Sequence, residues 1–584
     1  MNKVLTVLFA CLLGSSVYAQ SNFGKLQGNI TDAKTKVPIA YATIQLEKDG
    51  IRKGGTFTDD NGKYVINALD PGTYTITVKY IDYQDKQVTE VEISSNSTKF
   101  MNIEMSQTSV EDGGGQELGP IVVRAGKPMI EKDKNSKTLS AGDIAKLPTR
   151  DLGAIAATTS GANQDGNGGI SFLGSRTDGT AYFVDGVRVV GSSSVPQSAQ
   201  GQIDIIQSGI PAQYGDFTGG AISVTTKGPS RGTFRSFELI SSSPFDPYNY
   251  NQAEFSSIGP LWVKNKGGGD KEYVALGYQL AANINYTADP SPGYGGFYYL
   301  KDESLQKIQD NPIIENPNGP GFVYSSLLLD KSDLDWGKAR KNVAAYVGNA
   351  QGKIEFLPNK STSLTLFGSY NQGQGNNWNY SQSLMDYNNY SNTTNQTLRT
   401  YLKYTQRLGE TSEEDKEKEK ALFSDAFYTI RLDYQSSWSE TQNSQFGDNI
   451  FDYGHIGKFT SNRVPVYQYT EEATRFIDQK GDTVTRAGFF NLVDYGTNNI
   501  TFEASDKNPE RAKYTQAIFD YARAAFGGSD RTGIFSDDQV IQQLGLLNGF
   551  TPGLTYSLWN NPGAGNNGYS KSQTERAAAY AQGE

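Results

Sequence analysis

The sequence predicts an all-β-dominated chain: an N-terminal β-sandwich, a small α+β domain, then the N-terminal part of a large transmembrane antiparallel β-barrel. Three observations predict it. From residue 231 onward there are long runs in which apolar and polar side chains alternate, the pattern of strands facing lipid on one side and water on the other. Before residue 106 the alternating runs are shorter and are punctuated by Asp60-Asn61-Gly62 and Asp70-Pro71-Gly72, residue types that tight turns demand. Finally, the chain opens with an export signal, yet no later apolar stretch is long enough for a membrane helix.

The signal comes first. Lys3 is a short basic region, Val4 to Leu13 an apolar core, and Val17-Tyr18-Ala19 a small-x-small-like cleavage site before Gln20. Residues 1–19 therefore read as a secretory signal peptide. Leu8-Phe9-Ala10-Cys11 loosely resembles a lipoprotein site, but Phe9 fits it poorly and the apolar run continues to Leu13. Cys11 is the only cysteine, so an exported chain must be held together by sheet and packing without disulfides. His455, the only histidine, sits in a loop-like Tyr453-Gly454-His455 context and reads as a solvated surface residue. One imidazole and no thiolate leave little basis for a zinc, copper or haem site, or for Ser-His and Cys-His catalysis. No cofactor, no metal and no enzymatic activity are expected. The net charge of -10 argues against nucleic acid as a partner.

Residues 20–106 form the sandwich module. Ala42, Ile44 and Leu46 alternate with Tyr41, Thr43 and Gln45; Tyr74, Ile76, Val78 and Tyr80 alternate with Thr75, Thr77 and Lys79. Asp59, Asp60 and Asn61 lack the later bidentate Glu of a calcium loop, so a hairpin turn is the reading. The order of segments Gly28 to Thr31, Pro38 to Ala42, Thr58 to Tyr64, Pro71 to Tyr74 and Tyr80 to Tyr83 resembles the carboxypeptidase regulatory-like domain. That resemblance implies a seven-strand accessory sandwich without the peptidase zinc site.

Residues 107–135 read as a linker. Glu111 to Gly115 is acidic and glycine-rich and is expected to be flexible. Inside it lies the strand-forming segment Pro120-Ile121-Val122-Val123, which could add to the sheet edge of another protein or pair with an edge of its own N-terminal module.

Residues 136–228 change texture. Ser140 with Asp143 offers a capping box for a short helix ending before Pro148, and Thr149 could cap a second carrying Leu152, Ile155 and Ala156. Tyr182 to Val187 reads as two strands around an Asp185-Gly186 hairpin. An Ile203 to Ile206 strand, Gly209 to Tyr214-Gly215, and Gly219-Gly220-Ala221-Ile222-Ser223-Val224-Thr225-Thr226-Lys227 follow. This succession resembles the plug of TonB-dependent outer-membrane receptors, and it makes Pro120, Ile121, Val122 and Val123 a TonB-box candidate. The family usually has an Arg-Gly pair after the first plug strand; this chain has Leu173-Gly174, with Arg176 as a possible substitute for that Arg in latching plug to barrel wall. Asp185 has no acid or base nearby in sequence and reads as a hairpin residue, not a catalytic one.

The barrel region, 231–584, shows the alternation most clearly at Val274 to Tyr286, Leu398 to Tyr404 and Leu422 to Tyr434, with Ala344 to Phe356 and Thr362 to Tyr370 following less cleanly. Short links at 264–270, 358–360 and 409–420 alternate with long ones at 242–252, 287–341, 371–396 and 439–570, as periplasmic turns and outer loops do. A plug of this size needs a barrel on the order of 22 strands. Seven strands and the start of another at Lys571 to Ala581 are legible, so the expectation is a chain that stops mid-barrel. The resemblance implies import of a glycan, peptide or chelate, energised by TonB with ExbB–ExbD, from an outer-membrane site with the N-terminal module in the periplasm and a possible surface-lipoprotein lid. Two rivals remain: a plugged barrel serving secretion or surface assembly, and a soluble surface adhesin.

Overall fold

The computed structural model describes residues 23–95, 97–107, 120–125, 136–166, 168–190, 194–208, 218–264, 273–311, 313–318, 322–359, 361–408, 426–443, 446–449, 452, 456–509, 512–513, 515–517, 519–520 and 569–583. The signal segment, the acidic glycine-rich run, the Gly209-to-Gly215 motif and His455 lie outside them.

The N-terminal unit is two facing sheets. Its strands are β1 (Gly24–Asp32), β2 (Thr43–Lys48), β3 (Ile51–Phe57), β4 (Lys63–Leu69), β5 (Gly72–Lys79), β6 (Lys86–Ile93), β7 (Thr98–Phe100) and β8 (Ile103–Met105). One sheet runs β4-β1-β7 with β8 also on β1; the other runs β3-β2-β5-β6. Period-two side chains do the packing: Leu26, Ile30, Ile44, Leu46, Tyr64, Tyr74, Ile76 and Val78 fill the space between the sheets. Eight strands stand where the resemblance implied seven. β7 and β8 both run parallel to β1 and amount to one edge strand broken at Met101-Asn102, where the Met101 carbonyl presses onto Gly28 so closely that a Cβ there would overlap it. The Asp59 carboxylate accepts from the backbone N–H groups of Asn61 at 2.9 Å and Lys63 at 2.8 Å, which commits it to the turn. A ninth strand, β9 (Ile121–Arg124), joins the outer edge of β6 in parallel.

The inner domain follows, with β10 (Ser136–Ser140), α1 (Ala141–Ile144), α2 (Leu152–Ala157), β11 (Ala162–Gln164), β12 (Ile170–Phe172), β13 (Ala181–Val184), β14 (Val187–Arg188), β15 (Gln200–Ile206) and β16 (Ala221–Thr226). Five of these make a sheet in the order β10-β15-β16-β13-β14. Ser140 and Asp143 close a reciprocal capping box on α1. The second helix is capped by Asp151 rather than Thr149: the Asp151 carboxylate accepts from the Ala154 N–H at 2.8 Å, the three-residue spacing a cap requires, which Thr149 is two residues too early to meet.

The third unit is one antiparallel sheet, β17 (Phe234–Ser241), β18 (Asn251–Lys264), β19 (Tyr273–Thr287), β20 (Ala345–Phe356), β21 (Thr362–Asn376), β22 (Ser391–Leu408), β23 (Ala426–Asn443) and β24 (Ser570–Gly583), paired in chain order. One face carries Leu280, Ile284, Ile354, Leu366, Leu402, Ile430 and Leu432, all exposed. The other carries Gln279, Gln351, Lys353, Arg399, Tyr401, Arg431 and Gln435, all buried, and of these Lys353, Tyr401, Arg431 and Gln435 bond to the inner domain. An apolar outer face and a polar covered face are what a lipid-spanning wall around a domain requires. Alternation lapses at the foot of β19, where Val274 and Ala275 are both buried beside the bulge at Pro260–Val263 of β18. The long links contain structure of their own: Phe297–Leu300 pairs with Leu334–Gly337, and Gly457–Thr470 with Phe489–Ala504.

Candidate functional site: where wall, inner domain and sandwich meet

The tip of the β13–β14 hairpin is Asp185-Gly186, both with positive φ (49° and 77°), a conformation in which Gly is at ease and Asp is tolerated. The hairpin delivers the Asp185 carboxylate to the wall. Lys353 on β20 pairs with it at 2.9 Å, and the Tyr401 hydroxyl on β22 donates to it at 2.9 Å. From within the domain, the Thr226 N–H and hydroxyl donate at 2.8 and 2.7 Å. Lys353 also donates to the Thr226 hydroxyl. The Asp185 and Lys353 side chains are each 9% exposed. Burial by itself would favour the neutral acid, but the Lys353 charge and the Thr226 hydrogen bonds outweigh it and hold the carboxyl below its ordinary range.

The wall also grips the hairpin by its backbone. Arg431 on β23 donates to the Asp185 carbonyl at 2.9 Å and the Gly186 carbonyl at 3.1 Å. Gln435 donates to the Arg188 carbonyl at 2.7 Å and accepts from the Val190 N–H at 3.0 Å, and Arg576 on β24 donates to the same Arg188 carbonyl. At the other end of the domain, Glu254 on β18 accepts from the Ser198 N–H at 2.6 Å. Arginine forks and a carboxylate acceptor are the strong forms of hydrogen bond.

The sandwich docks on the same wall through β3, the end of β4 and the Asp70 turn. Lys53 pairs with Glu355 at 2.7 Å, with side chains 11% and 10% exposed, and Asp70 pairs with Lys403 at 2.9 Å. Arg407 donates to the carbonyls of Lys53 and Ala68. Lys403, Lys48 and Lys53 keep the Asp70 carboxyl well below the usual carboxylate range, against the effect of burial. Lys48, Lys53, Asp70, Asp185, Lys353 and Arg431 all line one cavity between the three bodies. A second contact joins sandwich to inner domain: Asp204 on β15 accepts from Thr138, from Gln202 and from the Ser95 N–H. Burial pushes its carboxyl up to about 6 despite those donors.

The residues singled out in the sequence scatter around this junction. Asp185 and Gly186 are at its centre. Gly219 and Gly220 lie against the inner domain's own core, where a Cβ on Gly220 would overlap the Phe172 ring and one on Gly219 the Gly179 carbonyl. Lys227 is partly buried and donates its N–H to the Ala199 carbonyl. Arg176 is exposed at the start of a single 3-10 turn and, among the described residues, makes no hydrogen bond or ion pair with the wall. Pro120 and Val122 are exposed, Ile121 half-buried and Val123 exposed, all on the sandwich edge and away from the wall junction. Lys353, Glu355, Lys403, Arg407 and Arg431 were not read from the sequence as site residues, although Lys403 and Arg431 fall at the polar positions of its alternating runs. Their signal was there: charged side chains at the inward positions of alternating strands.

Residues 25–106 match the carboxypeptidase regulatory-like domain. Over 247 residues the chain is 25% identical to the TonB-dependent transporter Oar of Myxococcus xanthus, an alignment covering 39% of this chain and 23% of that protein. Among solved structures it is similar to the ferric enterobactin receptor PfeA of Pseudomonas aeruginosa (17% identity, TM-score 0.31, 53% of this chain and 49% of that one). It is also similar to the siderophore receptor PirA of Acinetobacter baumannii (16%, 0.31, 54% and 49%) and the outer membrane transporter YddB of Escherichia coli (10%, 0.32, 52% and 39%). The chain thus spans about a quarter of the curated relative and at most about half of these solved receptors. The chain joins a carboxypeptidase regulatory-like domain at residues 25–106 to a likeness with proteins named as TonB-dependent transporters and outer-membrane receptors, which are not enzymes.

Proposed function

We propose that this chain serves a TonB-dependent outer-membrane receptor that imports an extracellular ligand (a glycan, peptide or chelate), with residues 136–228 as the plug, 231–584 as wall, and the sandwich of residues 20–106 on the periplasmic side. TonB, energised by ExbB–ExbD and the inner-membrane proton gradient, would engage Pro120 to Val123, and the plug would rearrange to open a path. A surface lipoprotein lid fits the same scheme. The observation that carries this reading is the Asp185 junction: a polar domain held by ion pairs and backbone grips against the wet face of a sheet whose other face is apolar. Such a junction is stable in the resting state, and it can be released only as a unit, since breaking one partner of a buried pair strands the other.

The test uses the full-length gene in its own host. Cells carrying the wild type or a deletion of Pro120–Val123 are grown on a mixture of glycans, peptides and iron chelates, and depletion of each compound from the medium is followed. Import predicts at least one compound that the wild type depletes and the deletion strain does not, with an uncoupler reproducing the loss. Unchanged depletion with altered surface or secreted proteins would instead establish secretion or surface assembly.

A further inference from the structure

The segment offered as the partner-binding strand is already paired. β9 lies parallel on β6 with Lys86 opposite Ile121, Gln87 opposite Val122, Val88 opposite Val123 and Thr89 opposite Arg124. The Ile121 N–H donates to the Asp85 carbonyl and the Ala125 N–H to the Thr89 carbonyl, both at 2.9 Å. In a parallel ladder this register also aims the backbone N–H of Gln87 at β9. The pairing stops where Glu90, at φ 62°, breaks the run of β6.

Two features make this dock a weak one. Its side chains contribute little, because Val122 is 59% and Val123 40% exposed. The one charged contact among the described residues, Arg124 with Glu90 at 3.6 Å, is between solvent-exposed groups. What remains is a few backbone hydrogen bonds, each modest in net worth. The edge of β6 is therefore suited to hold the segment at rest and to give it up to a competitor offering the same backbone bonds.

We propose that β6 is an internal competitor for the energising partner: it occupies the inner edge of Ile121–Arg124, and the partner's strand gains its full hydrogen-bonding surface only when β9 leaves the sandwich. The sandwich then acts as a clasp that sets the resting affinity for that partner. This rests on Pro120–Val123 being the partner-binding segment. Because the apparent affinity of a segment that is mostly docked is reduced by the undocked fraction, weakening the dock must tighten binding.

The probe is the purified periplasmic domain of the host TonB, titrated calorimetrically into the full-length protein in detergent. Gln87→Pro removes the donor aimed at β9 while Lys86 and Val88, whose backbone groups face β5, keep the rest of β6 in its sheet. It is expected to bind the probe roughly tenfold more tightly than wild type. The reverse perturbation is a Gln87→Cys, Val122→Cys pair, which sits in register; residues 20–584 hold no other cysteine. Oxidised, it is expected to lose at least about tenfold in affinity, and reduction should restore it. Equal or weaker binding by Gln87→Pro, or no difference between the oxidised and reduced pair, overturns the clasp. A deletion of Pro120–Val123 that binds as well as wild type overturns the partner-segment reading itself, and the clasp with it.

Discussion

Two of the contacts that join one body of this molecule to another could hardly be built more differently. At Asp185 the inner domain meets the wall through a buried ion pair, a tyrosine hydroxyl and an arginine fork on backbone carbonyls. At β9 the linker segment meets the sandwich mainly through backbone bonds, with its valines in the open and one exposed charged contact. The first is costly to break because any single loss strands a charge in a low-dielectric place. The second is cheap because every group released finds water. The proposed import, with TonB pulling on Pro120 to Val123, needs this order: the attachment nearest the pull should yield first, the one at the far side last.

The contrast can be broken most strongly at its firm end. Asp185→Ala should destabilise the inner domain by about 3–5 kcal/mol, since Lys353 is left buried without its partner; thermal unfolding in detergent with limited proteolysis of residues 136–228 measures this, and a loss below about 1 kcal/mol would mean the junction is not a lock. Asp204 comes next. Burial raises its carboxyl from the ordinary aspartate range to about 6, so the folded state favours the protonated form. Stability from this group is complete below the unfolded pKa and falls as pH rises toward the folded one, by up to about 3 kcal/mol between pH 4 and 6. Asp204→Asn should therefore flatten that part of the stability–pH curve, and unfolding midpoints of the two proteins at pH 4.5 and 7 decide it. Gly220→Ala should cost about 1–3 kcal/mol by driving a methyl into the Phe172 ring; a repacked ring with an unchanged melting point would show slack in that core. At the weak end, Glu90→Gln removes only the exposed partner of Arg124 and should change stability by less than about 0.5 kcal/mol. Hydrogen exchange at Ile121 and Ala125 should be fast in both proteins, and slow exchange there would erase the comparison.

Which of this could be read from residues alone follows from range. The wall was legible because a sheet with lipid on one side repeats every two residues, and Leu398 to Tyr404 or Val274 to Tyr286 declare that period without help from anything distant. The Asp185-Gly186 hairpin was legible because positive φ at its tip is a local demand. The partners of Asp185 were not: Lys353, Tyr401 and Arg431 come from three strands far along the chain, and alternation says which side chains point inward but not which turn they will meet. The docking of β9 was invisible for a different reason. It buries almost no side chain, so it leaves no pattern, and the residues permitted both an internal and an external pairing. The helix cap moved from Thr149 to Asp151 because both are cap-forming types, and only the start of the turn decides between them.

The sandwich's attachment has a bearing on how such proteins can be recombined. Glu355, Lys403 and Arg407 belong to the wall, yet their partners Lys53, Asp70 and the Ala68 carbonyl belong to a unit some three hundred residues earlier. A chimaera that grafts a foreign N-terminal module onto this barrel inherits half of each handshake. Exchange of the module alone should give orphaned charges, whereas carrying those three wall positions along with it should give a working hybrid; the natural unit of inheritance here is discontinuous in the gene.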